Sequence, residues 1–191
     1  MKPLLFTLGL SLSLIMGGCA VSPQSVVLYP QATLTGPLYG QGRTMTIQVE
    51  DRRSSSVLGS RGGIYETSSV ISISNDISAA LLAAAQEATS QLGFNGSSSS
   101  APAHLTLILE GLSYDTQTVN LINTINIEAN ITLTTTVGGS SHTGHYRTQR
   151  SHKFPRLPNA QKNQEIISEA LSTSLERGFS DISLANFLGQ N

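Results

Sequence analysis

Apolar and polar residues alternate strictly through the middle of the chain. Between Thr124 and Val137 the odd positions are aliphatic, apart from Thr135, and the even positions are Thr, Asn or Glu. A period of two residues predicts an antiparallel strand. One face of that strand should lie on a helix layer and the other should face solvent.

The same alternation predicts further strands on either side of this one. Residues 44–50 read "TMTIQVE", residues 103–114 read "AHLTLILEGLSY", and residues 142–154 return after the turn "GGSSH". Gly111 predicts a β-bulge inside the second of these strands. The short runs "SSVL" and "VISIS" flank the glycine-rich "GSRGG", which predicts a small hairpin with a mobile tip.

A period of 3.6 residues predicts a first helix after residue 75. Ser74 or Asn75 should cap it, with Asp76 in the first turn, and Gly93 should end it in the left-handed conformation. The positions that should share its buried stripe are Ile77, Leu81, Ala84, Ala85, Ala88 and Leu92.

A second helix is predicted near the C-terminus. Pro158 or Asn159 should open it and Gly178 should end it, and a short helix capped by Ser180 or Asp181 should follow. Its expected buried stripe comprises Ile166, Ile167, Ala170, Leu171, Ser174 and Leu175.

The order of these elements predicts an α+β fold. It is strand, hairpin, helix, three strands, helix and short helix. We expect a two-layer sandwich in which an antiparallel sheet carries two main helices on one face.

The first residues have the pattern of an export signal. Lys2 precedes an apolar stretch over residues 4–16, and Gly17 and Gly18 lead to Cys19, the one cysteine of the chain. A basic residue, a short apolar region and small residues are typical of a secretory signal peptide. The apolar run is shorter than the ~20 residues of a membrane-spanning helix.

These residues resemble a lipobox, the signal of bacterial lipoproteins, although Met16 stands where Leu is usual. The resemblance implies cleavage between Gly18 and Cys19. It also implies a diacylglyceryl group on the Cys19 thiol and an acyl chain, such as palmitate, on its new amine. Ala20, where Asp would signal inner-membrane retention, implies the inner leaflet of the outer membrane, facing the periplasm. The alternatives are an ordinary secreted protein or a buried core cysteine.

Composition sets the domain organisation and excludes some partners. We expect a cleaved signal peptide over 1–18, a lipidated tether and arm over 19–42, and a single α+β domain over 43–191. Ten basic residues against 12 acidic ones then remain, so the net charge is −2 and no strongly basic field is present to bind nucleic acid. The chain has no Trp and only 5% aromatic residues, which argues against an aromatic sugar-binding cleft.

Candidate catalytic and metal residues do not form a recognisable constellation. His142 and His145 make an H-x-x-H, with His152 further on, but on a strand the first two point to opposite faces. No G-x-S-x-G motif occurs. The acids on or near the long strands, which could serve glycoside hydrolysis only as a facing pair, are Glu110, Asp115 and Glu128. We therefore expect no metal, no cofactor beyond the lipid on Cys19, and no catalytic activity.

Two features could serve binding instead. Asp51 and Arg53 lie at i and i+2 where the first strand ends, and they form either a structural ion pair or a contact for a partner. The polar face of residues 124–136, rich in Thr and Asn, is either a solvated surface or a docking surface.

The order and spacing of these segments resemble the YajG-type lipoproteins of Gram-negative bacteria. The matching segments are the lipobox, Asp51 and Arg53 in "VEDRR", the two predicted helices, "LTLILEGLSYD" and "INTINIEANITL". The resemblance implies an outer-membrane lipoprotein without an established activity. We expect a non-enzymatic binding or scaffolding module that contacts an envelope protein. A peptidoglycan- or glycan-binding module and a cell-wall hydrolase are the alternatives, and the oligomeric state stays open.

Overall fold

The computed structural model describes residues 22–63, 66–96 and 101–190. They contain seven strands and three α-helices. In chain order they are β1 (Gln24–Val26), β2 (Met45–Asp51), β3 (Val57–Ser60), β4 (Val70–Ile73), α1 (Ile77–Gln91), β5 (Ala103–Val119), β6 (Ile122–Val137), β7 (Ser140–Phe154), α2 (Ala160–Phe179) and α3 (Ile182–Gln190). This element order confirms the predicted α+β fold.

All seven strands belong to one sheet, in which six follow the order β1-β4-β3-β5-β6-β7 and β2 pairs with β5. The long strand β5 is flanked by β2 along its first half and by β3 at Tyr114. The β5–β6–β7 meander is antiparallel as predicted, but the whole sheet is mixed, because β2 and β3 run parallel to β5 and β1 runs parallel to β4. The chain between β2 and β5 passes through α1, and such a crossover returns the chain in the same direction.

The predicted bulge lies in β5. Leu109 pairs with Ile131 and Gly111 pairs with Asn130, so Glu110 is the extra residue. The bulge shifts the alternation by one position, so that Leu112 and Tyr114 are buried beyond it.

The helices cover one face of the sheet and form the core there. Every residue of the two predicted helical stripes is buried. The inward side chains of β6 that meet them include Ile125, Ile127, Ile131 and Leu133, each at most 1% exposed. Burying such a side chain stabilises the fold by about 1.5–3 kcal/mol.

The cap predicted for α1 is wrong by one or two residues. Asp76 is the N-cap, and its carboxylate accepts a hydrogen bond from Ala79 N at 3.0 Å. Ser74 and Asn75 are not free for this role, because their side chains bond to the backbone of Val26 and Leu28. Tertiary contacts therefore decide which polar residue caps the helix.

The bounds of the two C-terminal helices are close to those predicted. Asn159 caps α2, and Asp181 accepts the backbone N–H of Ser183 at the start of α3. Gly178 does not end α2, which continues to Phe179. A Cβ at Gly178 would lie 2.7 Å from Leu133 Cδ1, so glycine here allows close helix–sheet packing.

Residues 27–42 run from β1 across the helices. Asn75 clamps the backbone of Leu28 through two hydrogen bonds of 2.9 Å. Gln91 holds Leu34 N at 2.8 Å and Ala32 O at 3.2 Å. Leu28 is fully buried, so this arm is part of the packed domain.

Candidate functional site

The face of the β5–β6–β7 sheet away from the helices is the main candidate surface. We call it the open face. Its side chains come from the positions of the three strands that point away from the core, and most are Ser, Thr, Asn or Gln. At its centre are Ser113, Asp115, Asn126, Glu128, Gln149 and Ser151, which line a shallow groove of about 400 Å³.

Glu128 organises the centre of the open face. Its carboxylate accepts hydrogen bonds from Arg147 Nη2 at 2.5 Å, Asn130 Nδ2 at 2.8 Å and Gln149 Nε2 at 2.9 Å. These bonds lower the pKa of Glu128 to about 2, and the bond from Arg147 contributes most. The carboxylate therefore stays ionised and fixes three neighbouring side chains.

The geometry around Glu128 does not suit the general-acid role in glycoside hydrolysis. A glycosidase needs one carboxyl group that stays protonated near neutral pH. Asp115 lies diagonally across from Glu128, in the same groove, and accepts a hydrogen bond from Gln117. The hydrogen bonds to Glu128 favour its charged form, which is opposite to what a general acid requires. Glu110, the third acid, lies 3.7 Å from the Arg52 guanidinium.

Asp51 and Arg53 form one bidentate pair at the end of β2. Arg53 Nη2 lies 2.7 Å from Asp51 Oδ2, and Arg53 Nε lies 2.9 Å from Asp51 Oδ1. Burial opposes the charge on Asp51, yet the hydrogen bonds from Arg53 hold its pKa below the ordinary value. The Arg53 side chain is only 8% exposed. Arg52 pairs instead with Glu50.

The histidines are separated as their spacing predicts. His145 Nδ1 lies 2.9 Å from Thr132 Oγ1 on the open face, whereas His142 stacks on Phe187 of α3 with ring centroids 5.8 Å apart. Across residues 22–63, 66–96 and 101–190, no three His, Cys, Asp or Glu side chains are grouped so that they could hold a metal ion.

Gly18 and Cys19 lie outside the described residues, but the chain just after them is held firmly. Arg61 donates from Nη1 to Ser22 O at 2.7 Å and from Nη2 to Pro158 O at 3.1 Å. Arg61 is 8% exposed. The sequence predicts a mobile hairpin tip here, and at Arg61 this prediction is wrong, because the fold brings residues 22 and 158 to the loop.

A family model confirms the resemblance drawn from the sequence. The model for "Uncharacterized lipoprotein", Lipoprotein_16, matches residues 30–189. The chain belongs to this lipoprotein family. The match covers most of the chain, from residue 30 in the arm through strands β2 to β7 and all but the last residue of α3, and β1 lies before it. No curated protein matches the chain.

Two solved structures share the fold of this lipoprotein. A DUF330 protein from Xanthomonas campestris has a TM-score of 0.51 at 11% identity, with 88% of this chain and 97% of that chain covered. A candidate neuraminyllactose-binding hemagglutinin homologue from Helicobacter pylori has a TM-score of 0.52 at 8% identity, with coverage of 86% and 97%. At these identities the similarity concerns the fold alone.

Within the described residues, no helix of the lipoprotein is both long and apolar enough to cross a membrane.

Proposed function

We propose that this lipoprotein is a lipid-anchored, periplasm-facing accessory module that binds another envelope component through its open face. The lipid would be carried on Cys19, at the inner leaflet of the outer membrane. The observation that supports this proposal most is the open face itself, because among the described residues the helices cover the long antiparallel meander on one side only.

The side chains of the open face suit recognition by hydrogen bonds. Asn126 and Ser151 are opposite each other on β6 and β7, and both line the groove beside Glu128. Amide and hydroxyl groups can donate and accept hydrogen bonds, so such a surface matches a polar partner. A protein segment is our first choice of partner.

A peptidoglycan or glycan strand is the second candidate. The groove combines the hydroxyl groups of Ser113 and Ser151 with the amides of Asn126 and Gln149. These groups match the hydroxyl and amide groups of a wall polymer. We propose no catalytic role, because the hydrogen bonds to Glu128 oppose the acid–base chemistry of a wall hydrolase.

Site-specific crosslinking in the native envelope tests this proposal. A photoreactive amino acid would replace Asn126 on the open face, and Ala83, exposed on α1, would be the matched control. We expect one discrete protein to be captured from position 126 and not from position 83. Capture of peptidoglycan fragments at 126 would favour the second candidate. Equal capture at both positions, or none at 126, would overturn the role of the open face.

The same experiment with Arg53→Ala separates the two interpretations of the Asp51–Arg53 pair. We propose that the pair is structural, because Arg53 is almost fully buried. Capture at position 126 should then persist in the variant, while the free energy of unfolding falls. Loss of capture without loss of stability would place the pair in an interface.

A further inference from the structure

The turn between β5 and β6 carries an unusual group of exposed apolar residues. Val119 is 65% exposed, Leu121 is 85% exposed and Ile122 is 41% exposed. Leu121 also has a φ of 64°, a left-handed conformation that a residue with a branched side chain adopts at a cost. We call Val119–Ile122 the apolar tip. A monomer gains no stability from such a tip, which indicates contact with something apolar.

The strand register shows that the chain enters the domain from the same end as the apolar tip. Gln24 pairs with Ile71, Ile71 with Gly59, and Gly59 with Tyr114. Gln24 is therefore level with Tyr114. Since β1 runs opposite to β5, the residues before Gln24 lie further toward the tip.

Chain lengths allow the lipid site to reach the depth of the apolar tip. Counting two residues back from Gln24 extrapolates Ser22 to the level of Thr116, and Arg61 Nη1 donates a hydrogen bond to Ser22 O. Three residues of β5 lead from Thr116 to Val119, a distance of about 10 Å. Three residues also lead back from Ser22 to Cys19, and they can span at most about 11 Å. A bilayer that holds the acyl chains of Cys19 is therefore within reach of the apolar tip.

Cationic side chains lie beside the apolar tip. Phe154 pairs with Asn123 at the foot of the turn, so the end of β7 is at the same end of the sheet. Lys153 and Arg156 are exposed there, and neither pairs with a carboxylate among the described side chains. The acid of β5 nearest to this turn in sequence is Asp115, which lies in the groove of the open face. Apolar residues flanked by cations fit a lipid surface with anionic headgroups.

We propose that the apolar tip is a second membrane contact, which enters the headgroup region of the bilayer that holds the lipid anchor. The tip orients the domain so that the plane of the sheet is parallel to the membrane normal. The open face then points sideways and does not lie against the bilayer. This inference rests on the lipid anchor of the proposed function, and the two can fail separately.

Depth measurement on the full lipidated protein tests the inference. Because Cys19 is the one cysteine of the chain, its acylation leaves an engineered cysteine as the single free thiol. Leu121→Cys would carry an environment-sensitive fluorophore, and Ser141→Cys, exposed near the opposite turn, would be the control. The protein would be reconstituted into vesicles of phosphatidylethanolamine and phosphatidylglycerol that contain a nitroxide-bearing lipid quencher.

We expect the label at position 121 to be quenched at least threefold more than the label at position 141. Lys153→Gln with Arg156→Gln should reduce the quenching at 121 in these vesicles by about half. Equal quenching at 121 and 141 in protein that floats with the vesicles would overturn the apolar tip and leave the lipid anchor intact. Protein that does not float would overturn the anchor itself.

Discussion

The two turns of the β5–β6–β7 meander have the same backbone form and opposite chemistry. Both are two-residue turns with positive φ, 50° and 64° at Asn120 and Leu121, and 56° and 86° at Gly138 and Gly139. Glycine adopts this conformation freely, and Asn-Gly is the preferred pair for it. We call Asn120–Leu121, at the end of the apolar tip, the near turn, and Gly138–Gly139, at the opposite end, the far turn. The far turn has residues that suit its backbone, whereas the near turn has a large apolar residue. The difference indicates that folding alone did not select the near turn.

Arg61 holds the near end of the molecule together, so its removal should have the largest effect. Arg61→Ala removes two charge-assisted hydrogen bonds, to Ser22 O and Pro158 O, and leaves both carbonyls without this donor. We expect the free energy of unfolding to fall by about 2–3 kcal/mol, measured by urea denaturation. Arg52→Ala, which changes a guanidinium that is 53% exposed, should lower it by less than about 1 kcal/mol. Equal effects would show that Arg61 does not fix the chain at Ser22.

Glycine in the near turn and leucine in the far turn should change the free energy of unfolding in opposite directions. Leu121→Gly should raise the free energy of unfolding by about 0.5–1 kcal/mol, because it relieves a left-handed leucine whose side chain is mostly in solvent.

Gly139→Leu should lower the same quantity by about 1–2 kcal/mol, since it places a side chain at a φ of 86°. Thermal unfolding of both variants measures the pair of effects. A Leu121→Gly variant less stable than the parent would show that Leu121 packs within the protein and would remove the contrast between the turns.

The sequence predicts those parts of the fold that depend on local periodicity. The alternation in β6 and the stripes of α1 and α2 are correct because burial imposes each period directly on neighbouring residues. The parallel pairing of β2 with β5 was not predicted, because it joins segments more than 50 residues apart. The cap of α1 was misplaced for the same reason, since Asn75 is bound to Leu28.

The candidate sites were less predictable than the fold. Asp51 and Arg53 could be paired from their spacing, because i and i+2 share a face of a strand. The role of Arg61 depends on residues 22 and 158, which only the tertiary structure brings together. The apolar tip had a local signal, "TVNLIN", in which three apolar residues stand within a polar turn.

Glu128 lies on the sheet between the near turn and the far turn. Removing its charge should have a moderate effect on the free energy of unfolding. Its pKa is lowered from 4.5 to about 2, so its contribution to stability is present above pH 4.5 and is lost as the pH falls toward 2. Glu128→Gln should lower the free energy of unfolding by about 1 kcal/mol at pH 7, because Arg147 is 60% exposed and solvent weakens the pair.

The gap between parent and Glu128→Gln should therefore close between pH 4.5 and pH 2 in a series of urea titrations. Glu169→Gln, at an exposed position of α2, is the control and should change stability by less than about 0.5 kcal/mol. A gap that stays constant down to pH 2 would show that the hydrogen bonds to Glu128 do not depend on its charge.

Three histidines lie at the end of the sheet that carries the far turn. A chelator should have the smallest effect on stability of all the changes considered. His104 pairs with Thr136 and His142 with Thr135, close to the glycine turn, and His145 follows on the open face. If these residues bound a metal ion, the far end would be a functional site and the contrast with the near end would fail. His142 points toward α3 and His145 points away from it, so the two cannot share one ion without a change in the strand. We expect a chelator to leave the melting temperature unchanged within about 1 °C. A fall of several degrees would show a bound ion that stabilises the folded state.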